Sequence, residues 1–464
     1  MAGSQASART RPNLLFVFGD EHRGQAVGCA RNSDVRTPVI DGLAAEGVYV
    51  RHAYANTPVC TPCRGTLLTG QWPLRHGAVS NDLPVRTGPE VPSIARSLSA
   101  AGYRCGYVGK WHIGGWPRDR FTPPGPARLG FDDFWAAWEC HHEYMVPKYH
   151  LNDSPDPIIL RDRYEPEVQT DLALAWLASK LDGEAPFCLF LSYGPPHGPY
   201  RPVPPGFEHA YDPGALSVRP NCADTPAERR DLADYYAHAT AVDVQIGRLV
   251  DHLRERGALD DTLVVYTSDH GTMLGSQGHH NKQQPWDESI NVPLVMRLGD
   301  RLPRGDRPDL LISALEYAPT LLGLLGVEVP GAMEGRNLAA HLTRTTDEPA
   351  PESVYIGEMV CCDQAVRERL VPWRGVRTKR HTYARSIDGP WVLYDDEADP
   401  YQLTNLVEDS TVRDPLEAEL QRWLARMEDE IVPANELLAR VELTEAWAAR
   451  EAHFHPYGWP PTAP

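Results

Sequence analysis

A cysteine directly precedes a helix-like segment near the start of the chain. Residues 60–70 read Cys-Thr-Pro-Cys-Arg-Gly-Thr-Leu-Leu-Thr-Gly, which places Cys60 at the expected helix N-terminus. The free N–H groups and partial positive charge of a helix N-terminus lower the pKa of a thiol or stabilise an anion. These residues alone therefore allow a reactive thiol at Cys60 or a structural turn, and a turn is the commoner use of such a segment.

Four further side chains that could take part in the chemistry each follow a short apolar run. The runs are residues 14–18, 104–108, 187–193 and 263–266, and the side chains that follow them are Asp20, Lys110, His197 and Asp269. Continuous apolar runs of this length are typical of strands buried on both faces, as in a parallel sheet. Because the chemistry of such folds lies beyond the carboxyl ends of the strands, these four side chains are candidates for it.

The segments between these runs are amphipathic and predict helices. They are residues 39–47, 93–101, 229–256 and 310–325, and a further apolar run at 293–297 predicts another strand. Strands that alternate with helices indicate an α/β fold. We therefore expect a large doubly wound, mostly parallel sheet flanked by helices.

The composition changes at residues 343–353, where Thr, Asp, Glu, Pro and Ser dominate, and this stretch predicts a linker. We expect a large domain over 1–345 that carries the chemistry and a smaller C-terminal α+β subdomain over 353–464. The subdomain would contain a small antiparallel sheet with a hairpin at 373–386 and 391–394, a helix at 416–430, and a tail at 453–464 that caps the body.

The composition of the 464-residue chain limits its partners and its compartment. Its net charge of -18 argues against binding to nucleic acid or to an anionic membrane, although local cations could still hold a small anionic substrate. The nine cysteines include one C-x-x-C pair without a second pair, which argues against a zinc knuckle. No apolar leader precedes Asn13 and no run reaches the ~20 residues of a membrane span, so the sequence predicts a cytoplasmic protein.

Several separated motifs occur in a recognisable order. The segment at 60–70 is followed by Gly-Lys-Trp-His at 109–112, Pro-Pro-His at 195–197, Ser-Asp-His-Gly at 268–271 and Lys-Gln-Gln-Pro-Trp-Asp-Glu at 282–288. This series resembles the type I, formylglycine-dependent sulfatases of the alkaline phosphatase-like superfamily. The resemblance implies an alkaline phosphatase-like fold and the hydrolysis of a small anionic aryl, carbohydrate or alkyl sulfate ester, with release of inorganic sulfate.

The same resemblance implies that Cys60 is the precursor of the nucleophile. In that family the formylglycine-generating enzyme recognises Cys-x-Pro-x-Arg and oxidises the cysteine to formylglycine, so this enzyme is an expected partner. Formylglycine binds water to give a diol, one hydroxyl of which attacks sulfur. The second hydroxyl then loses its proton and sulfate leaves, a step that a serine could not complete.

A divalent metal is also implied by the resemblance, with Asp20, Glu21, Asp269, His270 and the modified Cys60 as ligands. Hard oxygen ligands favour Ca²⁺ or Mg²⁺, with Ca²⁺ as our first choice, and the nitrogen of His270 leaves Mn²⁺ open. The chain departs from the common family pattern at two of these positions. Glu21 stands where Asp or Gln is usual, and His270 stands where many members have Asn.

Five further residues match the family's catalytic positions. Lys110 and Lys282 match the sulfate-binding lysines, which place positive charge where negative charge grows in the transition state. Arg64 matches the arginine that holds the formylglycine and metal site in place. His112 matches the group that takes a proton in sulfate elimination, and His197 matches the donor to the leaving alcohol, roles that suit the near-neutral pKa of imidazole.

Substrate selection is weakly determined by the sequence. Several polar and aromatic loop residues could line a sugar or aryl pocket: Trp111, Trp116, His141, His142, Tyr144, His279 and His280. The tail could close over this pocket with His453, His455 and Trp459.

Two alternative functions stay open. One is a phosphonate or phosphate ester hydrolase with the same nucleophile, since one fold hosts both activities, and the other is a non-catalytic binding protein with a vestigial site. The sequence predicts no oligomeric state.

Overall fold

The computed structural model describes residues 11–454. In chain order its strands are β1 (Asn13–Asp20), β2 (Val48–Tyr49), β3 (His52–Tyr54), β4 (Arg104–Lys110), β5 (Phe134–Trp138), β6 (Lys148–Leu151), β7 (Pro157–Ile159), β8 (Phe187–Pro196), β9 (Thr262–Ser268), β10 (Val295–Arg297), β11 (Leu311–Ser313), β12 (Ser353–Glu358), β13 (Trp373–Thr378), β14 (His381–Ser386) and β15 (Gly389–Asp395). Its helices are α1 (Pro38–Glu46), α2 (Cys60–Thr69), α3 (Pro73–His76), α4 (Ile94–Ala100), α5 (Glu165–Leu181), α6 (Pro226–Glu255), α7 (Asp287–Ile290), α8 (Ala314–Leu324), α9 (Ala339–Leu342), α10 (Gln364–Arg367), α11 (Ser410–Met427), α12 (Ala434–Arg440) and α13 (Thr444–Phe454).

The large sheet has nine strands in the order β2-β10-β9-β1-β8-β4-β5-β6-β7. The five central strands, from β9 to β5, are parallel, and the strands added at both edges are antiparallel. The predicted α/β fold with a large, mostly parallel sheet is therefore confirmed. The run at 293–297 does form a strand, β10, but it pairs antiparallel with β9, because burial of a run does not fix its direction.

Helices pack on both faces of this sheet, as a doubly wound fold requires. Alternate residues of β1 point to opposite faces, so Leu14, Phe16 and Phe18 join one apolar core while Leu15 and Val17 join another. Residues of α2, α4 and α8 pack in the first core, and residues of α1, α5 and α6 pack in the second. Every residue of β1 is buried, which explains its continuous apolar sequence.

Three predicted helices appear close to their expected limits, as α1, α4 and α6. The fourth, predicted at 310–325, is shorter at its start, because residues 311–313 form β11 and pair with β3. A capping box explains the boundary: the Ser313 side chain accepts from the N–H of Glu316, and the Glu316 carboxylate accepts from the N–H of Ser313. None of the helices within residues 11–454 has the length and apolar character needed to cross a membrane.

The C-terminal region contains a four-stranded antiparallel sheet, β12-β13-β14-β15, with α11 packed against it. The hairpin predicted at 373–394 is present, whereas the first strand, β12, was not predicted and begins at Ser353, where the expected linker ends. Tyr355 and Leu420 share an apolar core with Trp72 and Leu315 of the preceding region. The domain limits therefore stay a prediction, and the tail after Phe454 lies outside the described residues.

Candidate active site

Cys60 is the first residue of α2 and its side chain is 2% exposed. Val59 precedes it in an extended conformation, and Pro62 lies in the first turn, where a missing N–H costs no helical hydrogen bond. The Cys60 Sγ atom lies 3.3 Å from His270 Nε2, 3.5 Å from Lys110 Nζ and 3.7 Å from an Asp20 carboxylate oxygen. The chain thus presents a thiol at a helix N-terminus, surrounded by charged groups.

The ionisation of the Cys60 thiol reflects these neighbours. Burial and the negative charge of Asp20 both act to raise its pKa. The positive charges of Lys110, Lys282 and His270 outweigh both effects and lower this pKa to about 6. The site therefore stabilises an anion at the position of Cys60.

Arg64 lies one helical turn after Cys60, on the same face of α2. Its guanidinium is 1% exposed and pairs with an oxygen of Asp269 at 2.9 Å and an oxygen of Asp20 at 3.1 Å. Two more hydrogen bonds run from Nη1 to Ser192 Oγ at 2.7 Å and to the Lys110 carbonyl at 2.8 Å. Arg64 therefore fixes both carboxylates that follow the central strands β1 and β9.

A possible metal-binding group lies on the other side of these carboxylates. Asp20, Cys60, Asp269 and His270 are all buried, and one potential ligand atom from each lies within 4.8 Å of the others. The His270 Nδ1 bonds the Gly271 carbonyl at 2.8 Å, and since a carbonyl only accepts, this nitrogen carries a proton. Burial acts to lower the pKa of His270, but Asp269 and Cys60 outweigh it and raise this pKa to about 9, so Nε2 also carries a proton at neutral pH. The residues fit a divalent cation that displaces this proton, since Nε2 faces Cys60 and could then bind the cation.

Glu21 lies beside this group rather than within it. Its carboxylate pairs with Lys282 and lies 3.0 Å from His197 Nε2, and together with Asp20 and His197 it forms a second, overlapping set of potential ligands. The Lys282 ammonium also donates to His197 Nε2 at 2.7 Å. Burial and the positive charge of Lys282 lower the pKa of His197 well below its ordinary value, so this imidazole is neutral.

His112 stands two residues after the end of β4 and is held by Asp82, with 2.9 Å between His112 Nε2 and Asp82 Oδ1. Burial acts to lower the pKa of His112, but Cys140 and Asp82 outweigh it and raise this pKa to about 10. No hydrogen bond between His112 and Cys60 is present among residues 11–454. His112 therefore carries a positive charge at neutral pH, at the edge of the group described above.

Two arginines that the sequence did not indicate complete the surroundings of Asp82. Arg118 donates twice to its carboxylate, at 2.7 and 2.8 Å, and Arg450 of α13 donates from Nε at 3.1 Å. Arg450 also donates to Asp363 at 2.6 Å. No local motif could have revealed these contacts, because Arg450 follows Asp82 by 368 residues.

The backbone of the site is unusual at several positions. Four residues other than glycine have φ in the left-handed region: Glu21 at 61°, Asp82 at 63°, His112 at 54° and Gln283 at 74°. Such conformations cost about 1–3 kcal/mol each and persist where the surrounding structure imposes them, often at functional sites. They lie at, or next to, the residues predicted to carry the chemistry.

The structure places the predicted pocket residues in different surroundings. His142 stacks on His197 with ring centroids 4.0 Å apart, so it does contact a candidate catalytic residue. Trp111 does not line a pocket, since it is 1% exposed and packs against Tyr107 and Trp135 in the apolar core. The remaining candidates make other local contacts or are exposed: Trp116 contacts His453 with the two rings tilted, His141 pairs with Glu165, Tyr144 is buried, His279 pairs with Glu368, and His280 is exposed. His455 and Trp459 lie outside the described residues.

Comparison with known proteins identifies the family. The sulfatase family model matches residues 12–327, and the model for the C-terminal region of N-sulphoglucosamine sulphohydrolase matches residues 275–430. The chain belongs to the sulfatase family. The resemblance inferred from the motifs is thereby confirmed, and the chain is a sulfuric ester hydrolase.

Individual relatives cover most of this sulfatase. It is 36% identical over 434 residues to the ulvan-active sulfatase of Formosa agariphila, and this match covers 92% of this chain and 83% of the relative. It is 30% identical over 484 residues to the endo-4-O-sulfatase of Bacteroides thetaiotaomicron, covering 91% of this chain and 94% of that one. The solved structure of the Bacteroides fragilis YidJ protein, described as a sulfatase, has a TM-score of 0.84 at 28% identity and covers 92% of this chain and 99% of its own.

Proposed function

We propose that this sulfatase hydrolyses sulfate esters of carbohydrates, using an oxidised Cys60 as nucleophile beside one divalent cation. The observation that carries the proposal is the buried group of Cys60, Asp20, Asp269 and His270, whose potential ligand atoms lie within 4.8 Å of one another. The carbohydrate class is proposed from the names of the ulvan-active and endo-4-O-sulfatase relatives.

The nucleophile is proposed to arise from Cys60. The aldehyde hydrate of an oxidised Cys60 would supply one hydroxyl that attacks sulfur and a second hydroxyl through which sulfate can leave. The helix N-terminus and the nearby cations that lower the pKa of the thiol would equally stabilise an oxyanion at that position. Cys60 and Arg64 are only 2% and 1% exposed, so we expect the formylglycine-generating enzyme to act on this motif before the chain folds around it.

A divalent cation, with Ca²⁺ as our first choice, would polarise the nucleophilic oxygen and a sulfate oxygen. We propose Asp20, Cys60, Asp269 and His270 as its ligands. The contacts of Arg64 support this set, because the guanidinium binds Asp20 and Asp269 and so orients both carboxylates. Glu21 stays a proposed ligand, and its pairing with Lys282 would have to loosen for it to turn towards the cation.

Four cationic or neutral side chains would handle the sulfate and its protons. Lys110 and Lys282 are proposed to bind the sulfate oxygens, since both approach the Cys60 side of the site and neither is more than 8% exposed. The neutral His197 shares a hydrogen bond with Lys282, so this pair would hold a proton for the departing ester oxygen between Nε2 and Nζ. His112, held by Asp82, stays the proposed acceptor of a proton when sulfate leaves, and because its raised pKa keeps the ring protonated at neutral pH, it can accept that proton only after it has given up its own.

Peptide mass spectrometry across Cys60 tests the nucleophile. The chain is produced together with a formylglycine-generating enzyme, and a peptide with the mass of the aldehyde is expected in place of the thiol. Cys60→Ala should then lose all turnover, and Cys60→Ser should stop after one covalent transfer at most. A peptide that stays fully thiol beside an active maturation enzyme, or turnover by Cys60→Ala, would contradict the mechanism.

The ratio of kcat/KM on two esters tests the reaction class. A sulfate ester and a phosphonate monoester with the same leaving group differ only in the group that is attacked. The proposal predicts a higher kcat/KM for the sulfate ester. A higher value for the phosphonate would assign the same site to phosphonate hydrolysis instead.

A further inference from the structure

A cavity outside the proposed reaction centre is lined by an unusual number of cations. It encloses about 510 Å³ and is bordered by the segments around residues 24–31, 49–54, 287–309 and 377–401. We name it the cationic pocket after the six basic side chains in its wall, which are Arg31, Arg51, Arg219, Arg307, Arg377 and Lys379. Four acidic side chains line it as well, namely Asp287, Asp309, Asp396 and Glu397.

Half of these cations are already neutralised. Arg219 pairs with Glu288 at 2.8 Å, and Lys379 pairs with Asp309 at 2.6 Å. Arg377 is buried between Asp287 at 3.2 Å and Asp396 at 3.0 Å. The other three, Arg31, Arg51 and Arg307, form no ion pair with any side chain in residues 11–454. Counted against the four acidic side chains of the wall and Glu288, the six basic side chains leave the pocket an excess of one positive charge, and three of its arginines have no ion-pair partner among the described residues.

Two of these arginines, Arg51 and Arg307, lie near the Tyr49 ring, and Arg31 lines the same pocket. Arg307 lies over the Tyr49 ring, with 5.2 Å from its Cζ atom to the ring centroid, and donates to the carbonyl of Cys29 at 3.0 Å. That contact places Arg307 beside the short helical turn that ends at Arg31. Burial raises the pKa of the Tyr49 hydroxyl, and the charges of Arg307 and Arg51 both oppose this, so Arg51 faces the same phenol.

The wall of the pocket also includes an exposed aromatic ring, that of Tyr401. Tyr401 is 36% exposed, and the Arg219 guanidinium lies 5.0 Å from its ring centroid. Sites for small polar ligands combine aromatic surface with a few placed polar groups. An aromatic ring and several guanidinium groups in one pocket suit a ligand that has both a ring and anionic substituents.

The cationic pocket lies near the proposed reaction centre. An extended chain spans at most about 3.6 Å per residue. Gln25 of the pocket follows Glu21 by four residues, which limits their separation to about 14 Å, and Asp287 follows Lys282 by five, which limits theirs to about 18 Å. The pocket and the reaction centre are therefore separated by no more than the length of a few sugar units.

We propose that the cationic pocket binds sulfate or carboxylate groups of a polyanionic carbohydrate, apart from the sulfate group that is hydrolysed. Guanidinium groups bind planar and tetrahedral oxyanions through paired N–H donors. The net charge of -18 otherwise repels a polyanion, so a local cationic surface is needed to hold one. This inference names the substrate class of the proposed function and in that respect rests on it.

Binding by a catalytically inactive protein tests the pocket. Arg51→Gln and Arg307→Gln are combined in the Cys60→Ala background. The matched control combines Arg254→Gln and Arg422→Gln, two arginines outside the wall of the pocket whose side chains are 52% and 69% exposed. Both pairs remove two positive charges. The probes are a heparin-derived hexasaccharide, which carries sulfates and carboxylates, and a hexagalacturonate, which carries carboxylates alone, measured by isothermal titration calorimetry at low ionic strength.

The pocket variant should bind at least one probe roughly tenfold more weakly, which lies within the range for the loss of two exposed ion pairs, whereas the control should stay within about twofold. Weaker binding of the sulfated probe alone would assign the pocket to sulfate groups. If the pocket variant binds both probes as the control does, the inference is wrong. Release of inorganic sulfate from sulfated oligosaccharides by protein with oxidised Cys60 is measured separately, and its absence would refute the proposed reaction and not the pocket.

Discussion

Arg450 connects the C-terminal helix α13 to the candidate active site, and its removal should strongly destabilise the protein. The side chain is 1% exposed, and it donates to Asp82 at 3.1 Å and to Asp363 at 2.6 Å. In Arg450→Leu, Asp82 keeps its contacts with Arg118 and His112, whereas Asp363 loses the partner that most lowers its pKa. Loss of one partner from a buried ion pair costs about 3–5 kcal/mol, so we expect the free energy of unfolding to fall by that amount.

Arg440 of the neighbouring helix α12 provides a matched control. It also pairs with two carboxylates, those of Glu430 and Glu436, but its side chain is 47% exposed. Exposed pairs contribute about 0–1 kcal/mol, so Arg440→Leu should unfold almost as the parent protein does. Urea unfolding followed by tryptophan fluorescence measures both variants. Equal losses of unfolding free energy for the two variants would refute the argument, because burial would then not decide the value of the network.

Three more predictions concern the site itself. Asp82→Asn removes a negative charge that holds the pKa of His112 at about 10, so the His112-dependent limb of the kcat–pH profile should move down by roughly 1–3 pH units. In the parent protein the raised pKa of His112 stabilises the fold, and this stabilisation is complete below the unfolded pKa of 6.5 and is lost as pH rises through 10. Asp82→Asn should therefore flatten the plot of unfolding free energy against pH between these two values. An unchanged plot would contradict the pairing of His112 with Asp82. Lys282→Ala should lower kcat by about 10²–10³, the usual loss of one oxyanion donor, while Lys148→Ala, at an exposed pair with Glu143, should not change it; equal rates would remove Lys282 from the site. Chelation should abolish turnover, and restoration by Ca²⁺, Mg²⁺ and Mn²⁺ in turn measures which ion fits; turnover that survives exhaustive chelation would refute the metal proposal.

The sequence predicted the central part of the fold because that part is encoded locally. Continuous apolar runs marked β1, β4, β8 and β9, and each run ends at or just before a candidate residue. Strands that are parallel and adjacent bring their carboxyl ends to one edge, and Asp20 and Asp269 do meet there, with one oxygen of each bound to Arg64. The direction of β10 was not predictable, because a buried apolar run is compatible with either direction.

Contacts between segments that are far apart in the chain could not be predicted from the sequence. Asp82 is an ordinary loop aspartate until the fold brings His112, Arg118 and Arg450 around it. Trp111 lies inside a motif, and its position in the chain gave no sign that its ring turns into the core. The pairing of Glu21 with Lys282 depends on side-chain positions that are 261 residues apart. In each case a local pattern identified the segment, and only the packing of other segments determined which way the side chain points.

The balance of charges in the candidate active site couples binding of the proposed cation to binding of the anionic substrate. Three carboxylates and three permanent cations are packed together there: Asp20, Glu21 and Asp269 with Arg64, Lys110 and Lys282. Since these two sets balance, the excess positive charge of the protein alone comes from His270 and His112, whose pKa values are raised to about 9 and about 10. A divalent cation would add further positive charge, which an anionic substrate needs in a low-dielectric site. Binding of the cation and of the substrate should therefore be thermodynamically coupled, each raising the affinity for the other by the same factor.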